Sequence, residues 1–158
     1  MRKLSIYLDT SFISHLEQED VPDKKYETNE LWNIFKQREN LELVISTLTL
    51  FEINKCKEPK KKLLLKRTLE QPLVVVKETE DDFQLANIYL TNKVLSDKSL
   101  DDLRHIAIAV NNHCRYILSW NFKHFVNPKT INAVNSINKQ YDLPEISILP
   151  PSMMLGGF

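Results

Sequence analysis

Short apolar runs alternate along the chain with longer segments whose apolar residues fall three or four apart. Leu4 to Leu8, Leu41 to Ile45, Leu73 to Val76, Tyr116 to Leu118 and Ile146 to Leu149 are read as strands. The Leu-Val-Ile character of the second run suits burial on both faces of a sheet. Between the strands, Thr10 or Ser11 can cap a short helix running to about Glu17, and a second helix spans about Glu27 to Arg38, with Leu31, Ile34 and Phe35 on one face. Ser46 caps a helix carrying Leu48, Leu50, Phe51 and Glu52. Further helices are predicted over Pro59 to Leu69, over Glu80 to Val94, from Ser99 to about Asn112, and over Pro128 to Gln140. This alternation predicts an α/β fold whose parallel sheet, of about five strands, is covered on both faces. In such sheets ligands bind at the carboxyl ends of the strands.

Composition narrows the chemistry. The chain has 158 residues and two glycines, both in the tail at Gly156 and Gly157, which excludes Gly-rich loops for dinucleotides or nucleoside triphosphates. Lys plus Arg and Asp plus Glu both number 21, so attraction for a polyanion must come from local clustering. Cys56 and Cys114 form no metal-finger spacing and no disulfide framework, as expected of reduced thiols in a cytoplasmic protein. No apolar segment approaches the roughly 20 residues of a membrane span. With no repeat or low-complexity linker, one domain is expected over 1–150, followed by a tail over 151–158.

Several polar residues fall on that carboxyl rim by their place relative to the strands. Asp9 ends the first strand, and Glu52 lies in the second turn of the helix leaving the second. Asp101 and Asp102 open the helix that runs back before the fourth strand, and Asn121 follows that strand. Each has an ordinary structural role open to it. Asp9 suits an Asx turn or helix cap, Asp101 and Asp102 favour a helix first turn, and Ser99 with Asp102 resembles a capping box. Glu52, on a short helix crowded with apolar residues, is the least ordinary of them. Convergence of all four on one rim is what points to a site.

Four stretches in order carry a family resemblance: Tyr7-Leu8-Asp9-Thr10-Ser11, Ser46 to Glu52, Asp102 to Ala107, and Leu118 to His124. The chain resembles PIN-domain proteins, and most of all the toxin ribonucleases of VapBC-type toxin–antitoxin pairs. The resemblance implies a three-layer α/β/α sandwich and a divalent-metal site, with Asp9, Glu52 and Asp102 in the acidic places. Asp102 is preferred to Asp101 because it stands three before His105. Asn121 takes the fourth place, where many PIN domains have aspartate, and its neutral amide oxygen would hold a second cation less firmly.

The expected activity is hydrolysis of RNA phosphodiester bonds, with Mg²⁺ or Mn²⁺ bound by Asp9, Glu52 and Asp102. Asn121 would orient a water or bridge to the metal, and Thr10 and Ser11 would hydrogen-bond the ligand carboxylates. Lys123 and His124 are the nearest candidates for phosphate contact. Lys55, Lys57, Lys60, Lys61, Lys62, Lys66 and Arg67 form a basic run that is either a solvated helix face or a path for the RNA backbone. The expected partners are RNA, a small antitoxin and a second copy of the chain. The competing expectation is a PIN-like module, weak or inactive in catalysis, that binds RNA or protein.

Overall fold

The computed structural model describes residues 2–157. Five parallel strands form one sheet: β1 (Leu4–Leu8), β2 (Leu41–Ser46), β3 (Leu73–Val76), β4 (Tyr116–Leu118) and β5 (Ser147–Leu149). Their spatial order is β3-β2-β1-β4-β5. The chain therefore steps outward from β1 through β2 to β3, then returns to the other side of β1 for β4 and β5. The reversal falls between β1 and β4, and the loops above that gap diverge to leave a crevice. Register there is set by Tyr7 opposite Ile117 and Leu8 opposite Leu118, so Asp9 and Ser119 leave the sheet side by side.

Alternation along β1 splits the core in two. Ile6 and Leu8 pack with Phe12, Leu31, Trp32 and Phe35 on one face. That face is covered by α1 (Thr10–His15), α2 (Pro22–Lys36), α3 (Thr47–Asn54) and α4 (Lys60–Arg67). Tyr7 points the other way, into the layer built from α5 (Glu80–Thr91), α6 (Leu100–Asn111) and α7 (Pro128–Gln140). The result is the three-layer α/β/α sandwich that the alternation of runs implied.

Helix starts follow local chemistry. Ser46 and Thr49 form a reciprocal capping box on α3, Thr79 and Asp82 form one on α5, and Asn127 caps α7 with Pro128 in its first turn. Three starts differ from the sequence reading. The cap of α1 is Asp9, not Thr10 or Ser11, and Pro22 begins α2 a turn before Glu27 because proline suits the first helical position. Ser99 makes no side-chain cap bond at α6, where a 3₁₀ turn over Asp97–Ser99 leads in, and Asp102 turns to another partner.

Helix ends share one device. Lys93, His113 and Asp142, just beyond α5, α6 and α7, all have φ near +55° (57°, 57° and 54°). The next residue's N–H then reaches back to the last turn: Val94 to Tyr89, Cys114 to Ala109, Leu143 to Asn138. These are Schellman closures made without glycine. The tail forms α8 (Pro151–Gly156), which packs on α2 and buries Met154.

Candidate active site

The loops after β1, β2 and β4 and the first turn of α6 meet above the crevice. Asp9 has two tasks there. Its Oδ1 accepts the Phe12 N–H at 2.9 Å, which caps α1, and the Ser11 hydroxyl at 2.7 Å. Its Oδ2 accepts the Ser119 hydroxyl at 2.6 Å, across the β1–β4 gap. Burial pushes the Asp9 carboxyl up, opposed by the Ser119 and Ser11 hydrogen bonds. Only 3% of the residue is exposed.

Glu52 is held from two elements, α1 and α6. Its Oε1 accepts from the Thr10 hydroxyl at 2.6 Å and meets His105 Nε2 at 2.5 Å. On the ring's other side, His105 Nδ1 lies 2.7 Å from the Tyr7 hydroxyl, which also contacts Ser46 Oγ at 2.8 Å. A carboxylate only accepts, so Nε2 carries a proton, and in the neutral ring Nδ1 accepts from Tyr7. Burial acts upward on the Glu52 carboxyl, but His105, Thr10 and the nearby Arg104 guanidinium outweigh it and hold the group below its ordinary value. Burial also drives the Tyr7 phenol well above its usual range, so it keeps its proton. A buried relay thus runs Ser46–Tyr7–His105–Glu52 from the cap of α3 to a carboxylate on that helix.

Asp102 completes the acidic set. His124 Nδ1–H donates to its Oδ2 at 2.8 Å, while burial pushes its carboxyl up and Glu52 adds repulsion from across the rim. Neighbouring Asp101 is exposed and pairs with Arg104 at 2.8 Å, and Arg104 also grips Glu78 through two bonds of 2.8 and 2.7 Å. Asn121 points into its own loop, its Oδ1 accepting the His124 backbone N–H at 2.9 Å.

The donor set suits a hard cation. All three carboxylates supply oxygen, and Glu52 Oε2 and Asp102 Oδ1 take no hydrogen bond from the described residues. As they stand, no three His, Cys, Asp or Glu side chains among the described residues are close enough to enclose an ion. A cation would draw on those free oxygens and on the remaining lone pair of Asp9 Oδ2, since Oδ1 already accepts twice.

Sequence reasoning did not find Tyr7 or Ser119, and it used His105 only to place Asp102. Tyr7 looks like an ordinary strand aromatic. The one available signal for His105 is its place one turn from Asp102 within an otherwise apolar helix face. The basic run on α4 is partly engaged elsewhere: Lys60 bonds Gln18, Lys61 lies 3.9 Å from Glu58, and Arg67 pairs with Glu70 and approaches Glu17. Lys55 sits 4.4 Å over the Phe51 ring, while Lys57, Lys62 and Lys66 remain exposed.

No family model matches the chain, and no curated protein does. Solved structures match its fold. VapC20 of Mycobacterium tuberculosis, a toxin that cleaves the sarcin–ricin loop, is 16% identical with a TM-score of 0.59, over 75% of this chain and 92% of that one. VapBC2 of Rickettsia felis, bound to a DNA fragment of its promoter, is 14% identical with a TM-score of 0.56, over 93% of this chain and 98% of that one. The chain therefore has the PIN-type fold of these VapC structures. Among the described residues no helix is long and apolar enough to cross a membrane.

Proposed function

We propose that the chain is a divalent-metal-dependent endoribonuclease and the toxin of a toxin–antitoxin pair. The observation that supports this reading is the placement of Asp9, Glu52 and Asp102, on three separate elements, along one carboxyl rim beside the strand-order reversal of a PIN-type sheet. The two similar structures support it at the level of fold, one being named as a toxin that cleaves the sarcin–ricin loop and the other as a VapBC complex.

Mg²⁺ or Mn²⁺ would be held by Asp9, Glu52 and Asp102, where it would activate water and offset phosphate charge. The chain's own residues do the rest. Ser11 and Ser119 fix both oxygens of Asp9, while Thr10 and His105 fix one oxygen of Glu52 and leave the other outward. His124 orients Asp102 through Nδ1 and keeps Nε2 for a substrate oxygen, with Lys123 beside it to meet phosphate. Asn121 acts by holding the loop that presents His124. The partners under this reading are an RNA substrate, a small antitoxin and a second copy of the chain, with the cytoplasm as the compartment.

The test is cleavage of single-stranded and structured RNA with Mg²⁺, with Mn²⁺ and with chelator. Cleavage is expected only with metal, and lost in Asp9→Asn. Equal rates with chelator, or in Asp9→Asn, would overturn the mechanism. The engagement of Asn121 in its own loop favours one other reading, an RNA-binding module without turnover. RNA binding with no cleavage under any metal would establish that reading.

A further inference from the structure

A cleft of about 540 Å³ opens beside the carboxylate rim, between the turn after α5, the loop after β4 and the start of α7. Lys93, Lys123 and Lys129 line it from these three places, with His124 and Asp97. None of the three lysines forms an ion pair among the described residues, and Asp97 is the one acidic residue in the lining. The chain's net charge is zero, so this excess is local. The first turn of α7, a helix of 13 residues, faces the same space and adds the positive end of its dipole. His124 belongs to both regions, lining the cleft while donating to Asp102.

We infer that this cleft binds backbone phosphates of single-stranded RNA flanking the phosphodiester at the carboxylate rim. The inference rests on the reading of the chain as an RNA-acting protein, but not on turnover. Three unpaired ammonium groups converging from separate elements make an electrostatic groove of the kind that tracks a nucleic-acid backbone. The shared side chain of His124 makes the groove continuous with the rim, so one strand can occupy both. It also shifts the RNA path away from the basic run on α4, where Lys60, Lys61 and Arg67 already have partners within the fold.

Binding of a labelled single-stranded RNA to the full chain, in chelator and the Asp9→Asn background, tests this without cleavage. The variants are Lys93→Asn, since asparagine tolerates the left-handed backbone there, and Lys129→Glu, since an acidic residue suits a helix first turn. Lys139→Glu, at the other end of α7, makes the same change in net charge as Lys129→Glu about 15 Å away and serves as its control. The double variant is expected to bind at least tenfold more weakly, with a slope of log affinity against log salt shallower by about 0.7 per lost contact. Lys139→Glu is expected to change binding less than twofold. Equal effects of Lys129→Glu and Lys139→Glu would overturn the cleft, as would displacement by an acidic peptide with RNA binding unaffected by the double variant. Cleavage by an active chain that ignores both substitutions would refute the subsite and leave the nuclease reading intact. RNA binding that depends on them, without cleavage, would do the reverse.

Discussion

Asp9 carries two demands in one side chain. As an N-cap it needs only an acceptor for the Phe12 N–H, which asparagine supplies equally well. As a buried carboxylate it opposes folding, since burial disfavours its charged form. Asp9→Asn is therefore expected to abolish cleavage while leaving stability unchanged or raised by about 1 kcal/mol, because sites kept for function are often not optimal for folding. Paired thermal melts and cleavage assays check it, and a large loss of stability would mean that the charge itself holds the rim together. Tyr7→Phe has the opposite profile. It takes a buried hydroxyl from Ser46 and His105 and is expected to cost about 1–2 kcal/mol, measured by denaturant unfolding. Asp9 was legible from sequence because a carboxylate ending an apolar run is conspicuous. The relay behind Glu52 was not, because its partners lie 98 and 53 residues apart along the chain.

At the scale of elements, positions and periods were readable while several caps were not. α7 runs over Pro128–Gln140, as the 3.6-residue period predicts, because Asn127-Pro128 announces its start. The helix stops were harder to see, since stop signals depend on glycine and this chain closes α5, α6 and α7 with Lys93, His113 and Asp142 instead. That departure is testable. His113→Gly relieves a left-handed side chain and is expected to stabilise the fold by about 0.5–1 kcal/mol in denaturant unfolding, with an unchanged result arguing against the closure. Between elements, Trp32 on α2 donates its indole N–H to Glu70 after α4 at 2.8 Å. Burial pushes the Glu70 carboxyl up, but Trp32, Arg67 and Lys36 outweigh it and hold the group below its ordinary 4.5. A depressed carboxyl contributes stability above its unfolded value and loses it as pH falls through the folded one. Glu70 is exposed, so solvent screening keeps the effect small. Glu70→Gln should destabilise by less than about 1 kcal/mol at pH 7, and the difference should vanish as pH falls through the lowered value of the folded carboxyl, as followed by acid unfolding.

At the scale of the molecule, strand order was the missing piece of information. Five runs and their parallel sense followed from the pattern, but nothing local says that β4 returns to pair with β1 rather than with β3. That choice creates the crevice. If a cation binds there, it binds the folded state alone, so Mn²⁺ at about a hundred times its dissociation constant should stabilise the wild type by about 2.7 kcal/mol. The same addition should leave the melting temperature of Asp9→Asn unchanged, and an equal shift in both would locate the metal elsewhere.

The same order has a consequence in time. The rim needs Asp9 from the first strand and Ser119 and His124 from beyond the fourth, so every shorter nascent chain lacks part of it. A growing polypeptide through β3 has its central strand open on one edge, waiting for a partner more than a hundred residues downstream. Under the nuclease reading proposed above, the chain would thus be inert for most of its own synthesis, switching on only when its fourth strand closes the sheet.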